Sequence, residues 1–285
     1  AIRDAEVYFG FGVARPLFKE GRALKWVHSA AAGVGAALFP EMLESDVVLT
    51  NSAGIHAEPI AQHVVGGVLY LLRSLDVAVD LHRAGRWDKQ PFVGDASTVR
   101  EIGDCRVLVI GAGGLGSAIG RHLAHFGAEC VAVRRCPEKG VPEGFARVIG
   151  PDAIDAELPG ADVVVLATPA TPETRGLLDR RRLNLMPRNG IVVNVGRGNL
   201  VDESALIEAL ESNRLRGAVL DVFEEEPLAS TSRLWQLRQV LLTPHVSAVS
   251  PRRFWQRQLD LFTDNWSRWV AGRPLRNTVD KRAGY

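Results

Sequence analysis

The sequence predicts an α/β protein built around a doubly wound parallel sheet. Two observations predict it. The middle of the chain carries six short apolar, β-branched runs without polar alternation, the pattern of strands covered on both faces. Helix-length segments lie between them, and strand–helix alternation argues for parallel strands joined by crossover helices.

The predicted strands are Arg106–Ile110, Cys130–Val133, Val163–Leu166, Gly190–Asn194, Ala218–Asp221 and Val240–Thr243. The predicted helices between them are Leu115–Phe126, Asp179–Met186 and Asp202–Ser212. The flanks read differently. Residues 1–50 hold only fragments of such units, Glu6–Phe9 and Leu24–Val27. Ser250 as N-cap and Pro251 at the first helical position open a long terminal helix, with Gly272 just past its end. Its Phe254, Leu259, Phe262, Trp266 and Trp269 recur at near-helical spacing. We therefore expect one discontinuous domain made of residues 1–50 and 251–285, and a second made of residues 51–250. A further helix covers residues 57–74. From Ile60 to Leu72 it is apolar on nearly every face, as buried helices are. That fits a subunit contact or an interior helix of the monomer.

Composition bounds the rest. At about 150 residues per domain, 285 residues suggest two. A chain that is 46% hydrophobic and 24% charged is not a disordered one. Thirty-four basic against 33 acidic side chains leave a formal charge of +1, so no global field draws in nucleic acid or an anionic membrane. The longest apolar runs, such as Val64 to Leu72, are too short for a membrane span. Cys105, Cys130 and Cys136 cannot all pair and lack zinc spacing, so we expect a reducing, cytoplasmic setting and no metal. The start has no initiator Met and no apolar signal segment. We expect numbering that begins inside the natural chain, or a truncated first unit.

Gly111-Ala-Gly113-Gly-Leu-Gly116 follows a predicted strand and opens a predicted helix. In that setting the first glycine permits a tight turn and the second lets the backbone approach a pyrophosphate. The third lets helix pack on strand. The helix N-terminus offers free N–H groups to the phosphates. A glycine-rich loop binding no dinucleotide is the alternative. About 20 residues further on, an NAD site usually places a carboxylate for the ribose 2′-OH. Here Arg134 and Arg135 stand instead. Guanidinium groups attract a 2′-phosphate that a carboxylate would repel, so we expect NADP(H) in preference to NAD(H). A solvated charge pair at a strand end is the alternative.

Three later segments place reactive side chains at predicted strand ends, the edge where open α/β sheets bind ligands. They are Asn194-Val-Gly-Arg197-Gly198, Asp221-Val-Phe-Glu-Glu-Glu226-Pro227 and Thr243-Pro-His245. Singly, each has a structural reading; beside the glycine fingerprint they suggest an Arg, a Glu and a His converging on a substrate.

Together with Ala32-Gly33-Val34, Thr50-Asn51, Gly54-Ile-His-Ala57, Thr171-Pro-Glu-Thr-Arg-Gly176 and Val201-Asp-Glu203, these segments resemble the D-isomer-specific 2-hydroxyacid dehydrogenases in order along nearly the whole chain. The resemblance implies two Rossmann-like domains, one flavodoxin-like and one dinucleotide-binding, with a cleft active site and a homodimer. It implies hydride transfer between a nicotinamide cofactor and a small 2-oxo or 2-hydroxy acid. Arg197 then resembles the arginine that holds the substrate's carboxylate and carbonyl oxygen. His245 resembles the general acid/base and Glu226 its paired carboxylate. Ala32, Gly33 and Val34 look like a second carboxylate cradle. By the same resemblance Asp221 would bond the nicotinamide carboxamide. Gly114, Leu115 and Gly116 would meet the pyrophosphate, and the main chain near Pro169 and Val195 would line the cofactor. The chain departs from the family at Gly33-Val-Gly35, where Asp is frequent, and at Gln62, where Glu is frequent. The arginines after Val133 match the NADPH-preferring branch that reduces glyoxylate and hydroxypyruvate. The expected dimer contact is the 57–74 helix. A non-catalytic, dinucleotide-sensing corepressor on the same fold is the alternative function, and formate- or phosphite-type oxidation a weaker one.

Overall fold

The computed structural model describes residues 2–95, 97–282 and 284. The chain divides into two compact units, Ala1–His56 with Val249–Tyr285, and Ala57–Ala248. The changeovers thus fall after residue 56 and before 249, where the sequence suggests 50 and 251.

The first unit opens with β1 (Val7–Gly10), α1 (Arg15–Glu20), β2 (Trp26–Ser29), α2 (Pro40–Glu44) and β3 (Val48–Asn51). The three strands form a parallel sheet in the order β1-β2-β3. The fragments Glu6–Phe9 and Leu24–Val27 fall on β1 and β2, and β3 joins them in one three-stranded sheet. β3 ends in the polar Thr50 and Asn51, so no apolar run marks it. Val27, Val34, Met42, Leu49 and Val279 build its core.

The second unit contains α3 (Ala57–Leu72), α4 (Leu75–Arg83), α5 (Gln90–Val93), β4 (Arg106–Ile110), α6 (Gly114–His125), β5 (Glu129–Val133), β6 (Arg147–Ile149) and α7 (Ile154–Glu157). It continues with β7 (Val163–Leu166), α8 (Arg180–Leu185), β8 (Ile191–Asn194), α9 (Glu203–Glu211), β9 (Gly217–Leu220) and β10 (Val240–Leu242). The sheet order is β10-β9-β8-β7-β4-β5-β6, and every pairing is parallel. The chain runs outward from β4 in one direction and from β7 in the other, so a topological switch point lies between those two strands. Side chains alternate across the sheet: Val107 and Val109 enter one core layer, Leu108 and Ile110 the other. Both faces are covered, which is why these strands read as unbroken apolar runs.

Helix α3 belongs to this core. Ala61, Val64, Val68 and Leu71 are fully buried, and a Cβ on Gly67 would come within 2.6 Å of Val219 in β9. The interior-helix reading therefore accounts for most of its apolar surface. It ends at Leu72, and Ser74 adopts a left-handed φ of 51° before α4 begins. That stops the expected 57–74 helix two residues early.

The chain returns to the first unit through α10 (Phe254–Val270). Here the capping expectation fails. The Ser250 carbonyl, not its hydroxyl, accepts from the N–H groups of Arg253 and Phe254, and residues 251–253 form a turn before the helix. Backbone closure at that turn supplies what the serine side chain was expected to give. Gly272, at φ 63°, ends the helix in the left-handed conformation that glycine tolerates. The spaced aromatics dock α10 on the small sheet: Phe262 stacks on Trp26 at 5.3 Å between ring centroids.

Candidate active site

Adjacent strands β8, β9 and β10 each release a loop at their C-terminal ends. Arg197, Glu226 and His245 ride on those three loops, so three short connections on one sheet edge bring them together.

His245 Nδ1 lies 2.8 Å from Glu226 Oε2. The other Glu226 oxygen accepts the backbone N–H of Phe223 at 3.0 Å. Burial works against the Glu226 charge, but the His245 and Phe223 hydrogen bonds and the His245 and Arg197 charges outweigh it. The carboxyl is held below its ordinary range. Arg197 is thus near enough for its charge to be felt at Glu226; its guanidinium also donates to the Gly196 carbonyl at 2.7 Å.

The loops are built to approach each other. Asn194 closes the β8 turn from both sides: its amide donates to the Arg197 carbonyl, and its oxygen accepts the Gly196 N–H. A Cβ on Gly198 would overlap the Phe223 carbonyl, so glycine is needed for the Arg197 loop to lie against the Glu226 loop. His245 sits at φ 53°, a left-handed conformation costing a non-glycine residue about 1 kcal/mol. What holds it there is Asp221. Only 1% exposed, the Asp221 carboxylate accepts from the Thr243 hydroxyl at 2.6 Å, the Val246 N–H at 2.9 Å and the Ser247 N–H at 3.0 Å. The Asp221 carbonyl accepts the His245 N–H. His63 on α3 meets the same Thr243 hydroxyl at 3.3 Å. Asp221 is therefore the anchor of the His245 loop, with its acceptor positions largely occupied by protein. Asn194 and Thr243 lie in segments singled out for their arginine and histidine, and His63 lies outside them; only the contacts show that these three brace the loops.

The glycine fingerprint closes β4 onto α6. Gly111 has φ 101°, and a Cβ there would come within 2.7 Å of the Thr168 amide nitrogen. A Cβ on Gly116 would overlap the Gly111 carbonyl. Gly113 and Gly114 are exposed at the N-terminus of the 12-residue α6, with open space beside Gly113. Leu115 is half-buried behind them. Two of the fingerprint glycines are thus demanded by packing, and the two between them leave the helix end open to a phosphate. Arg134 and Arg135 follow β5. Arg134 donates to the Gly140 carbonyl at 3.0 Å, and the Arg135 charge is felt at Glu173 in the loop beyond β7. Pro169 is exposed in that same loop, its carbonyl accepting the Thr174 hydroxyl. Val195 is buried after β8. Ala32, Gly33 and Val34 follow β2 in the first unit, the first two exposed.

The profile of a family described as "D-isomer specific 2-hydroxyacid dehydrogenase, NAD binding domain" matches residues 65–247. The chain belongs to the D-isomer-specific 2-hydroxyacid dehydrogenase family. Among its relatives in that family is glyoxylate/hydroxypyruvate reductase A of Escherichia fergusonii, 33% identical over 274 residues, 93% of this chain and 83% of the reductase. A D-3-phosphoglycerate dehydrogenase of Methanocaldococcus jannaschii is 32% identical over 253 residues. The match takes in 87% of this chain but 46% of that enzyme, so this chain spans about half of its length. The crystal structure of a D-isomer specific 2-hydroxyacid dehydrogenase from Xanthobacter autotrophicus in complex with NADPH and MES superposes with a TM-score of 0.85. It is 34% identical, covering 100% of this chain and 87% of that one. A 2-hydroxyacid dehydrogenase is an NAD(P)-dependent oxidoreductase of small 2-oxo and 2-hydroxy acids, and the parallel sheets here are of that family's Rossmann-like kind. No helix among the described residues is long and apolar enough to cross a membrane.

Proposed function

We propose that this 2-hydroxyacid dehydrogenase reduces a small 2-oxo acid such as glyoxylate or hydroxypyruvate to the D-2-hydroxy acid, with NADPH in preference to NADH. The observation that carries the reading is the His245–Glu226 pair, 2.8 Å apart beside the Arg197 loop. The glycine turn, open at Gly113 and Gly114, and the arginines after β5 suit a dinucleotide carrying a 2′-phosphate.

A nicotinamide held at the glycine turn would supply a hydride for the substrate's carbonyl carbon. The chain's own residues deal with the charge that builds on oxygen. Glu226 accepts from Nδ1 of His245, which fixes the ring and leaves Nε2 to deliver a proton. Positioned proton transfer of this sort is worth roughly 10²–10⁴-fold. The Arg197 guanidinium turns to the carboxylate and carbonyl oxygen of the substrate, a planar fork matched to a planar acid. In the first unit, the N–H groups of Ala32 to Val34 form a carboxylate cradle. We place the protein in the cytoplasm as a homodimer.

The test is initial-rate reduction of glyoxylate and hydroxypyruvate, with NADPH and NADH compared in the unaltered protein and in the Arg134→Ala/Arg135→Ala variant. The preference for NADPH should collapse in the variant through a higher KM for NADPH. Equal use of the two cofactors by the unaltered protein would remove the role given to the arginines.

A further inference from the structure

A run of buried polar side chains crosses the first unit from β2 to α10. The Trp26 indole N–H donates to Thr50 Oγ1 at 2.8 Å. Thr50 Oγ1 lies 2.7 Å from His28 Nδ1, and His28 Nε2 lies 3.3 Å from Ser52 Oγ. Ser52 Oγ is 2.7 Å from Gln258 Oε1, and the Gln258 amide donates to the Ala30 carbonyl. His28, Thr50, Ser52 and Gln258 are completely buried.

Proton counting fixes the direction. Ser52 has one hydrogen, and the Gln258 and Ser29 carbonyl oxygens can only accept it. Ser52 Oγ must then accept from His28 Nε2–H, which leaves Nδ1 to accept the Thr50 hydroxyl. The relay runs one way, from the indole to the Ala30 carbonyl, with a neutral His28. Burial agrees, lowering the His28 pKa to about 4.

The relay ends where substrate binding is proposed. In Ala30–Val34 the carbonyls are held: Ala30 by Gln258, Ala31 by the Ser52 N–H at 3.2 Å, Ala32 by the Asn51 amide at 2.8 Å, and Val34 by the Ala37 N–H at 2.8 Å. The N–H groups of Ala32, Gly33 and Val34 have no hydrogen-bond partner among the described residues. With four of its five carbonyls tied and three successive N–H groups, of Ala32 to Val34, left to donate, the segment is arranged as an anion-binding concavity. Apolar side chains would fill the same interior without the requirement that every polar group be satisfied.

We infer that Gln258 is a positioning residue for the carboxylate of the 2-oxo acid, acting through the buried relay that fixes the backbone of Ala30–Val34. This rests on the proposed reading of Ala32–Val34 as a carboxylate cradle. Gln258 touches neither substrate nor cofactor, so its removal should loosen ground-state binding and leave the proton-transfer pair intact.

The experiment is Gln258→Met, similar in length and without hydrogen bonds, read in two ways. In steady state, KM for the 2-oxo acid should rise about tenfold, the loss of one to two hydrogen bonds, with kcat and NADPH affinity within about twofold of the unaltered protein. By hydrogen exchange with mass spectrometry, peptides covering residues 30–34 should exchange about tenfold faster, and peptides from 57–248 at the original rate. An unchanged KM, or a fall in kcat at constant KM, overturns the inference while the proposed reaction stands. If the unaltered protein reduces no 2-oxo acid, that reading fails by itself. Exchange at 30–34 then decides whether the relay fixes the segment, unchanged exchange overturning it. Should Gln258→Met not fold, Ser52→Ala cuts the same relay one link earlier and is read identically.

Discussion

At the scale of single residues, the site depends on how His245 is held. Its ring is oriented by Glu226 and its left-handed backbone by the Asp221 carboxylate, which gathers three donors from residues 243–247. Asp221 illustrates what a motif cannot tell. The family likeness implies a bond to the nicotinamide carboxamide; the folded chain shows what the motif does not, a buried carboxylate that holds its own loop. Glu226→Gln removes the charge and, because its NH2 group cannot accept, one of the two hydrogen bonds received by the carboxylate. We expect kcat to fall about 10²-fold with NADPH affinity unchanged, measured by steady-state rates and cofactor fluorescence. Because the folded carboxyl titrates below its ordinary range, Glu226 keeps its charge as pH falls through that ordinary range and loses it only through the lowered value. Full turnover by the variant would show that the charge has no part.

At the scale of elements, legibility followed burial on two faces. Six strands of the seven-stranded sheet stand out as apolar runs, the short edge strand β10 among them; β6 does not, because it opens on Arg147 and leaves only Val148 and Ile149 as an apolar pair. The sheet of the first unit shows only as fragments on β1 and β2, for the opposite reason. The centre of β2 is Trp26-Val-His-Ser29, buried throughout but polar in half its positions. A buried histidine looks like a surface residue until its partners are seen. Its cost has a measurable consequence. The unfolded chain binds a proton at His28 near pH 6.5, the folded one only near 4. Acidification through that window therefore favours unfolding, by about 1.4 kcal/mol per pH unit and about 3 kcal/mol over the whole. Urea denaturation of the protein between pH 7 and pH 4, with the His28 ring followed by NMR, checks this. A ring that titrates near 6.5 in the folded protein would contradict the buried relay.

For the whole molecule, the proposed homodimer makes a demand on α3. Most of its apolar surface is used inside the second unit, leaving Gln62 and Gly66 exposed and Ile60, Leu69 and Tyr70 half-buried. A contact through this helix must use that stripe. Light scattering should give twice the mass of one chain, and Gly66→Arg, which puts a bulky charge where a Cβ meets nothing within 4 Å, should shift the mass toward one chain. A mass of one chain for the unaltered protein at micromolar concentration would reject the dimer. The sequence alone determined the parallel sheet and the glycine turn, and it singled out Arg197, Glu226 and His245 as candidates, because periodicity, glycine spacing and residue type are local properties of the chain. Tertiary structure alone decided that Asp221 anchors a loop, that α3 buries most of its apolar surface in the second unit, and that His28, Ser52 and Gln258 form one relay. Residues 206 positions apart in sequence, as Ser52 and Gln258 are, become hydrogen-bond partners only when packing removes the water that would otherwise satisfy each of them.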